Sequence, residues 1–436
     1  MKKEYNWTLH TDAWNWILMQ IDSFSKSNPS ISTFEAVLNS RTGTRLIDFT
    51  DHLVMEETQE LIEMLKRFGY SYQKDGKAWV HSGAFLPAII TVPSPGEIIG
   101  LAIKVDDVGE FLETWNLDLP IEGSMCSRLR RCKISTTGNV AFWVIERRST
   151  QFFEPVVEDR GFLEMYFNFL QYWENRPRFQ EDKRKQLEEL FDIVGDPIRF
   201  LGTDITTYLF FEAERRYWLS RNTFAQHYKS LADSIGVGLA NHDHHTFRSS
   251  RQYFHYLIGF FDILGFKCRE RFYYPEAGWG SQVMENPNTG ITLFLDVDLK
   301  PEELEIDFID TPLDEMESFG IIDLWCGLHG DSLTGPGLHH LALRTGVEPF
   351  NARLAKHNIP VMIPFNRLPF LWQAFSHGER WKITKEQVRE LLKRNLITGE
   401  KANMFIQNGV AGSHIEMLQR QDGYKGFKQE EILPIS

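Results

Sequence analysis

The feature that most constrains this chain is a pattern that recurs: a short apolar strand, an amphipathic helix, then further strands. In the first half, Leu46–Phe49 reads as a strand. Leu61, Met64, Leu65 and Phe68 then recur at helical spacing and predict a helix around Glu56–Phe68, stopped by Gly69. Strand-like runs follow at Ala78–His81 and Leu86–Val92. GEIIGLAIKVDDVGEFLETW repeats the theme, with a helix starting near Val108, and NVAFWVIERR closes this half as a strand.

The pattern returns at residue 241. HDHHTFR reads as a strand and SRQYFHYLIGFFDILGF as a helix ended by Gly265; CRERFYYPEAG and GSQVMENPNTGITLFLDVD supply further strands. LHHLALRT opens a fourth repeat, EPFNARLAKHNI is its helix, and ANMFIQNG and GSHIEMLQR are its late strands. The fold class is therefore α+β: tandem βαβββ modules forming two half-barrels. Residues 156–238 interrupt with long amphipathic stretches and read as a helical insertion or linker; its aromatic stripe is compatible with a lid or a partner surface, but such a stripe is more often plain core. The expected organisation is a helical segment at 1–45, a modular half at 46–155, the insertion at 156–238 and a second modular half at 239–436.

Composition narrows the function classes. A net charge of −13 argues against a broad nucleic-acid surface, because phosphate binding needs clustered Lys and Arg. No run of roughly 18 apolar residues predicts a membrane span, and residues 1–20 carry polar groups throughout, unlike a signal peptide. The four cysteines form no CxxC pair and fit a reducing compartment, so a cytoplasmic location is expected. The 33 Phe residues allow large buried faces or an apolar ligand pocket.

Three of the predicted strands carry possible metal ligands. Alternate residues of a strand share a face. His244, Thr246 and Arg248 share one on the first, with His242 on that side and His245 opposed. His340, Ala342 and Arg344 share one on the second, and His414, Glu416 and Leu418 on the third. With 14 histidines, paired clusters arise by chance, and a lone strand His is most often a hydrogen-bonded core or surface residue. Glu416 within HIEML is harder to dismiss: an unpaired buried carboxylate costs several kcal/mol, so a cation or metal belongs beside it. Two imidazoles and one carboxylate are the minimum set that binds Fe(II) facially with open positions left over.

DHHTFR, SQVMENPNTGITLFLD, GPGLHHLALRT and SHIEMLQRQDGYKGF resemble the metal-binding half of 4-hydroxyphenylpyruvate dioxygenase and its relatives in the vicinal-oxygen-chelate superfamily. GLAIKVDDVGEFLE and NVAFWVIER resemble, more weakly, the metal-free first half of that family. The resemblance implies His244, His340 and Glu416 as ligands of Fe(II). It places Ser281, Asn403 and Gln419 at polar substrate contacts and Phe427 as a cover on the pocket. Asp296 and Asn403 stand where the family has Asn and Gln, which puts 4-hydroxyphenylpyruvate itself in doubt as the substrate. The His-x-x-x-Arg strands ending in Arg248 and Arg344 resemble the related hydroxyglutarate synthase (2-oxoadipate dioxygenase/decarboxylase) family. There an Arg grips a substrate carboxylate; equally, each Arg here pairs with a surface acid.

The expected function is thus an Fe(II)-dependent dioxygenase that decarboxylates and hydroxylates a 2-oxo acid. Its partners are that small molecule and dioxygen, with no nucleic acid or membrane, and a homo-oligomer is compatible with the sequence. Three alternatives stay open. They are a hydroxyglutarate-synthase-like enzyme on a 2-oxo dicarboxylic acid, an extradiol ring-cleaving dioxygenase using His414 or His242, and a non-catalytic binding protein of the same fold.

Overall fold

The computed structural model describes residues 7–93, 96–309, 311–316, 320–362, 364 and 368–427. Two helices open the chain, α1 (Thr11–Ser27) and α2 (Pro29–Thr42). Pro29 starts α2, and Asn28 caps it by accepting a hydrogen bond from the Ser30 amide at 3.0 Å. Ile17, Ile21, Phe34 and Leu38 bury their apolar faces in the core of the first sheet. The run expected to begin the first strand is instead a one-turn helix, α3 (Leu46–Phe49), held at its start by Asp48, which accepts from the Arg45 amide at 3.3 Å and from its guanidinium at 2.8 and 2.9 Å.

The first sheet holds two modules. One is β1 (Thr50–Glu56), α4 (Gln59–Arg67), β2 (Ser71–Gln73), β3 (Ala78–Val80) and β4 (Ala88–Val92). The other is β5 (Ile99–Lys104), α5 (Val108–Thr114), β6 (Leu129–Thr137) and β7 (Val140–Arg147). Its missing strand is reduced to an isolated bridge between Glu122 and Arg131.

Four helices follow: α6 (Arg160–Asn175), α7 (Lys183–Leu201), α8 (Thr203–Leu219) and α9 (Thr223–Asp233). Their aromatic stripe is core. Trp173, Phe210, Phe211 and Trp218 are fully buried in the same cluster as Phe247, Phe260 and Phe261 of the second sheet and its helix. Each such side chain contributes roughly 1.5–3 kcal/mol by leaving water. The helical stretch therefore forms the outer layer of the second sheet.

The second sheet contains β8 (His242–Arg248), α10 (Phe254–Ile263), β9 (Lys267–Tyr274), β10 (Trp279–Asn286) and β11 (Ile291–Asp298). After α11 (Ile321–His329) come β12 (His340–Arg344), α12 (Val347–Lys356), β13 (Val361–Met362), β14 (Leu371–Ser376) and β15 (Glu379–Trp381). Two helices, α13 (Lys385–Lys393) and α14 (Gly399–Asn408), delay the last strand, β16 (Val410–Arg420). The segment ANMFIQNG, expected as a strand, lies in α14. Thr398 caps that helix by accepting from the Lys401 amide at 3.2 Å.

The two sheets share one plan. The first strand of each module runs parallel to its last: β1 with β4, β5 with β7, β8 with β11, β12 with β16. The modules meet through antiparallel pairs, β1 with β5 and β8 with β12. The orders β2-β3-β4-β1-β5-β7-β6 and β13-β14-β16-β12-β8-β11-β10-β9 leave both sheets open. The fold is therefore α+β with tandem βαβββ modules, as the sequence pattern implies. No helix among the described residues is long and apolar enough to cross a membrane.

Candidate metal centre

Register assembles the centre. Across the second sheet, Ala342 of β12 lies opposite His244 of β8 on one side and Glu416 of β16 on the other. The middle strand thus presents a methyl group where its neighbours present ligating side chains, and the space between them stays open. Strand alternation supplies the orientation. Phe247, Leu341, Leu343, Ile415 and Met417 face the helical layer, while His244, Thr246, Arg248, His340, His414 and Glu416 line a pocket on the opposite face.

His244 Nε2 lies 3.1 Å and His340 Nε2 3.0 Å from the same Glu416 oxygen, Oε2. One ligating atom from each of the three residues falls within 4.8 Å of the others, and all three residues are buried. Burial alone would raise the Glu416 carboxyl, but the two imidazoles outweigh it and hold it at about 2. Burial alone would lower His244; the carboxylates of Glu416 and Asp243 reverse that and lift it to about 9. For His340 burial wins, and its titration falls below the usual histidine range.

The surrounding residues fix these groups. Asp243 Oδ1 lies 3.0 Å from His244 Nδ1, and both Asp243 oxygens are gripped by Arg420 at 2.6 and 2.9 Å. Gln373 Nε2 donates to Glu416 Oε1 at 3.1 Å. His340 Nε2 also lies 2.9 Å from Thr246 Oγ1, while its buried Nδ1 has no hydrogen-bond partner. Two imidazole nitrogens and one carboxylate oxygen, buried and converging, form a donor set that fits a divalent transition metal held on one face. His244, His340 and Glu416 are the residues that would hold it.

Of the other expected site residues, the structure brings three to this pocket. Arg248 lines it, 3.5 Å from Asp296 Oδ2 and with its guanidinium 5.4 Å from the Trp325 ring. Ser281 lines it and donates its hydroxyl to Asp296. Phe427 is buried with its ring centre 5.2 Å from that of His244.

Three others lie elsewhere. Asn403 is exposed on α14. Gln419 is on the opposite face of β16 from Glu416, where its Oε1 accepts from the Val347 amide at 3.1 Å. Arg344 faces a separate cavity. His242 also departs from the expected face. The pairing of β8 with β12 shifts register between Ala342 and Leu343, and the bulge leaves the His242 ring 5.4 Å from that of His245.

Residues not expected from the sequence complete the pocket. Gln373 and Phe375 arrive on β14, and Phe272, Tyr274 and Trp279 come from the β9–β10 hairpin. Alternation in LWQAFS is the signal that would have found the first two.

No protein-family model matches the chain, and no curated protein matches it in sequence. Solved structures are similar to it at low identity. A Ralstonia eutropha protein ascribed to the glyoxalase superfamily matches at 9% identity and a TM-score of 0.34, covering 62% of this chain and 100% of its own. A triple mutant of 4-hydroxymandelate synthase from Streptomyces coelicolor matches at 12% and 0.27, covering 77% and 95%. The hydroxyglutarate synthase of Pseudomonas putida in complex with 2-oxoadipate matches at 13% and 0.24, covering 59% and 63%. In its tandem βαβββ modules the chain resembles the vicinal-oxygen-chelate superfamily.

Proposed function

We propose that this chain is an Fe(II)-dependent dioxygenase that oxidatively decarboxylates and hydroxylates a 2-oxo acid. The observation that carries the reading is the convergence of His244, His340 and Glu416 at the base of a buried pocket with an arginine in its wall. When bound there, Fe(II) supplies open positions for a chelating 2-oxo acid and the redox chemistry of dioxygen.

The protein's own residues orient and enclose the substrate. Phe294 and Phe427 bring their ring centres to 4.7 and 5.2 Å from that of His244, so the wall beside the centre is aromatic and dry. Arg248 offers a guanidinium that Asp296 holds only at 3.5 Å, leaving donors for a polar group on the substrate. With Arg344 outside this pocket, the balance of aromatic rings over cations favours an acid with an aromatic or apolar body. In the overall reaction C1 of the 2-oxo acid leaves as CO2. One oxygen atom enters the new carboxylate and the other becomes the hydroxyl.

One observation favours a second reading, extradiol ring cleavage. His414 lines the pocket, its ring stacked at 4.4 Å on that of His340. Burial and the neighbouring cationic groups hold it well below the ordinary histidine range, so it is neutral, and its buried Nε2 has no hydrogen-bond partner, leaving a ring nitrogen open to a proton from a bound phenol. Oxygen uptake measured with a panel of aromatic and aliphatic 2-oxo acids, alongside catechols, tests both. The proposed activity gives uptake with equimolar CO2 from a 2-oxo acid. Uptake only with catechols, without CO2, selects the second reading.

A further inference from the structure

We infer that a cavity at the junction of the two sheets is a second ligand site, one that binds a small organic anion through carboxylate or phosphate oxygens. It is lined by Asp51 of β1 and Lys104 of β5 from the first sheet, and by Arg344 of β12 and Arg420 of β16 from the second. Asp48 and the apolar side chains of Trp14, Phe85, Leu86 and Pro87 complete the wall.

The charges in this wall do not balance. Asp48 is taken by Arg45, at 2.8 and 2.9 Å. Both oxygens of Asp51 are held by Arg147 at 2.7 Å, with His52 Nδ1 a further 2.7 Å contact. Arg420 is saturated by Asp243 and by the carbonyls of Tyr424 and Gly426. Each acid in the wall already has its cation, and two cations are left over. Among the described residues, neither the Lys104 ammonium nor the Arg344 guanidinium has an ion pair or hydrogen bond, and Arg344 Nε is buried without a partner. The guanidinium only stands over the Phe85 ring, at 5.3 Å.

Two cations without ion pairs sharing one partly buried cavity are unfavourable unless a counter-charge arrives. The titration of Lys104 agrees. Burial lowers it most, Asp51 only partly offsets this, and Arg215, Arg147 and Arg344 lower it further, to about 8. A guanidinium and an ammonium facing one space match the oxygens of a carboxylate or phosphate, and the rings and Leu86 accept a short apolar body. The inference stands independently of what the metal pocket does. It accounts for an arginine that the strand pattern aligned with His340 but the structure sends elsewhere.

Thermal unfolding of the full chain, at constant ionic strength set with sodium chloride, tests this with two probes: inorganic phosphate and succinate. We expect a saturable rise in Tm at millimolar concentration of at least one. The stronger probe tells phosphate from carboxylate. Lys104→Met should raise Tm in the chloride buffer without either probe, by removing an unpaired charge, and abolish the probe-induced rise. Arg344→Gln should weaken the apparent affinity by roughly tenfold or more, whereas Arg248→Gln, in the metal pocket, should leave it intact. No saturable rise with either probe, or a rise unchanged in both Lys104→Met and Arg344→Gln, overturns the inference. So does a rise lost in Arg248→Gln but kept in Arg344→Gln, which places the anion in the metal pocket.

Discussion

The carboxylate of Asp243 meets the imidazole of His244, its neighbour in the chain, at 3.0 Å. Side chains of adjacent strand residues ordinarily point to opposite faces. Here the register shift that skips Asp243 interrupts that alternation, and Arg420 locks the carboxylate in place beside the imidazole. With Asp243 at Nδ1, the Nε2 lone pair of His244 is free to face the centre, an arrangement that orients metal-binding histidines.

Asp243→Asn tests that arrangement. The amide keeps one acceptor for Arg420 but no longer favours the Nδ1-protonated ring. Metal affinity should fall by roughly 10–100-fold, the usual cost of losing such a partner. Titration of the stripped protein with Fe(II) under anaerobic conditions measures it, and far-ultraviolet circular dichroism should be unchanged.

Arg248→Gln should leave metal content intact and act on the substrate. Losing its charge-assisted contact should lower kcat/KM for the preferred 2-oxo acid by about 10–100-fold, or about 1.4–2.7 kcal/mol. If the contact is equal in ground and transition states, the loss appears in KM. Asn403→Ala, on the exposed face of α14, should change stability by less than about 0.5 kcal/mol and activity not at all.

The pocket's appearance in the sequence was uneven for physical reasons. Alternation made β8, β12 and β16 visible, and with them His244, His340 and Glu416, because each strand has one apolar face fixed by the helical layer. The same alternation sets Gln419 apart from Glu416, and the resemblance that favoured Gln419 ran against it. Asn403 is misplaced because the short apolar run Met404–Ile406 between polar residues reads as a strand, while the Thr398 cap that starts α14 lies outside that short window. His242 was misjudged because a bulge has no residue signature. Arg344 shares the parity of His340, but it lies two rungs further along β12 and faces the other cavity. The helices at 156–238 were legible as helices, though their amphipathic pattern did not say which sheet they cover.

The metal-free protein should show a pH dependence set by His244. Its folded-state titration is raised to about 9, so its stabilising contribution is complete below the unfolded value near 6.5 and is lost as pH rises through about 9. The Tm difference between the wild type and His244→Gln, both stripped, should therefore shrink over that window. Comparison with the variant cancels Lys104, which titrates nearby in the opposite sense. With metal bound, the cation replaces the proton and the dependence should flatten.

Metal analysis of purified, anaerobically reconstituted protein tests the central claim most directly. The account predicts stoichiometric iron in the wild type and near-complete loss in each of His244→Ala, His340→Ala and Glu416→Ala. Asn403→Ala should keep its full complement. A folded wild type that binds no stoichiometric metal, or a His244→Ala variant that retains it, would contradict the account.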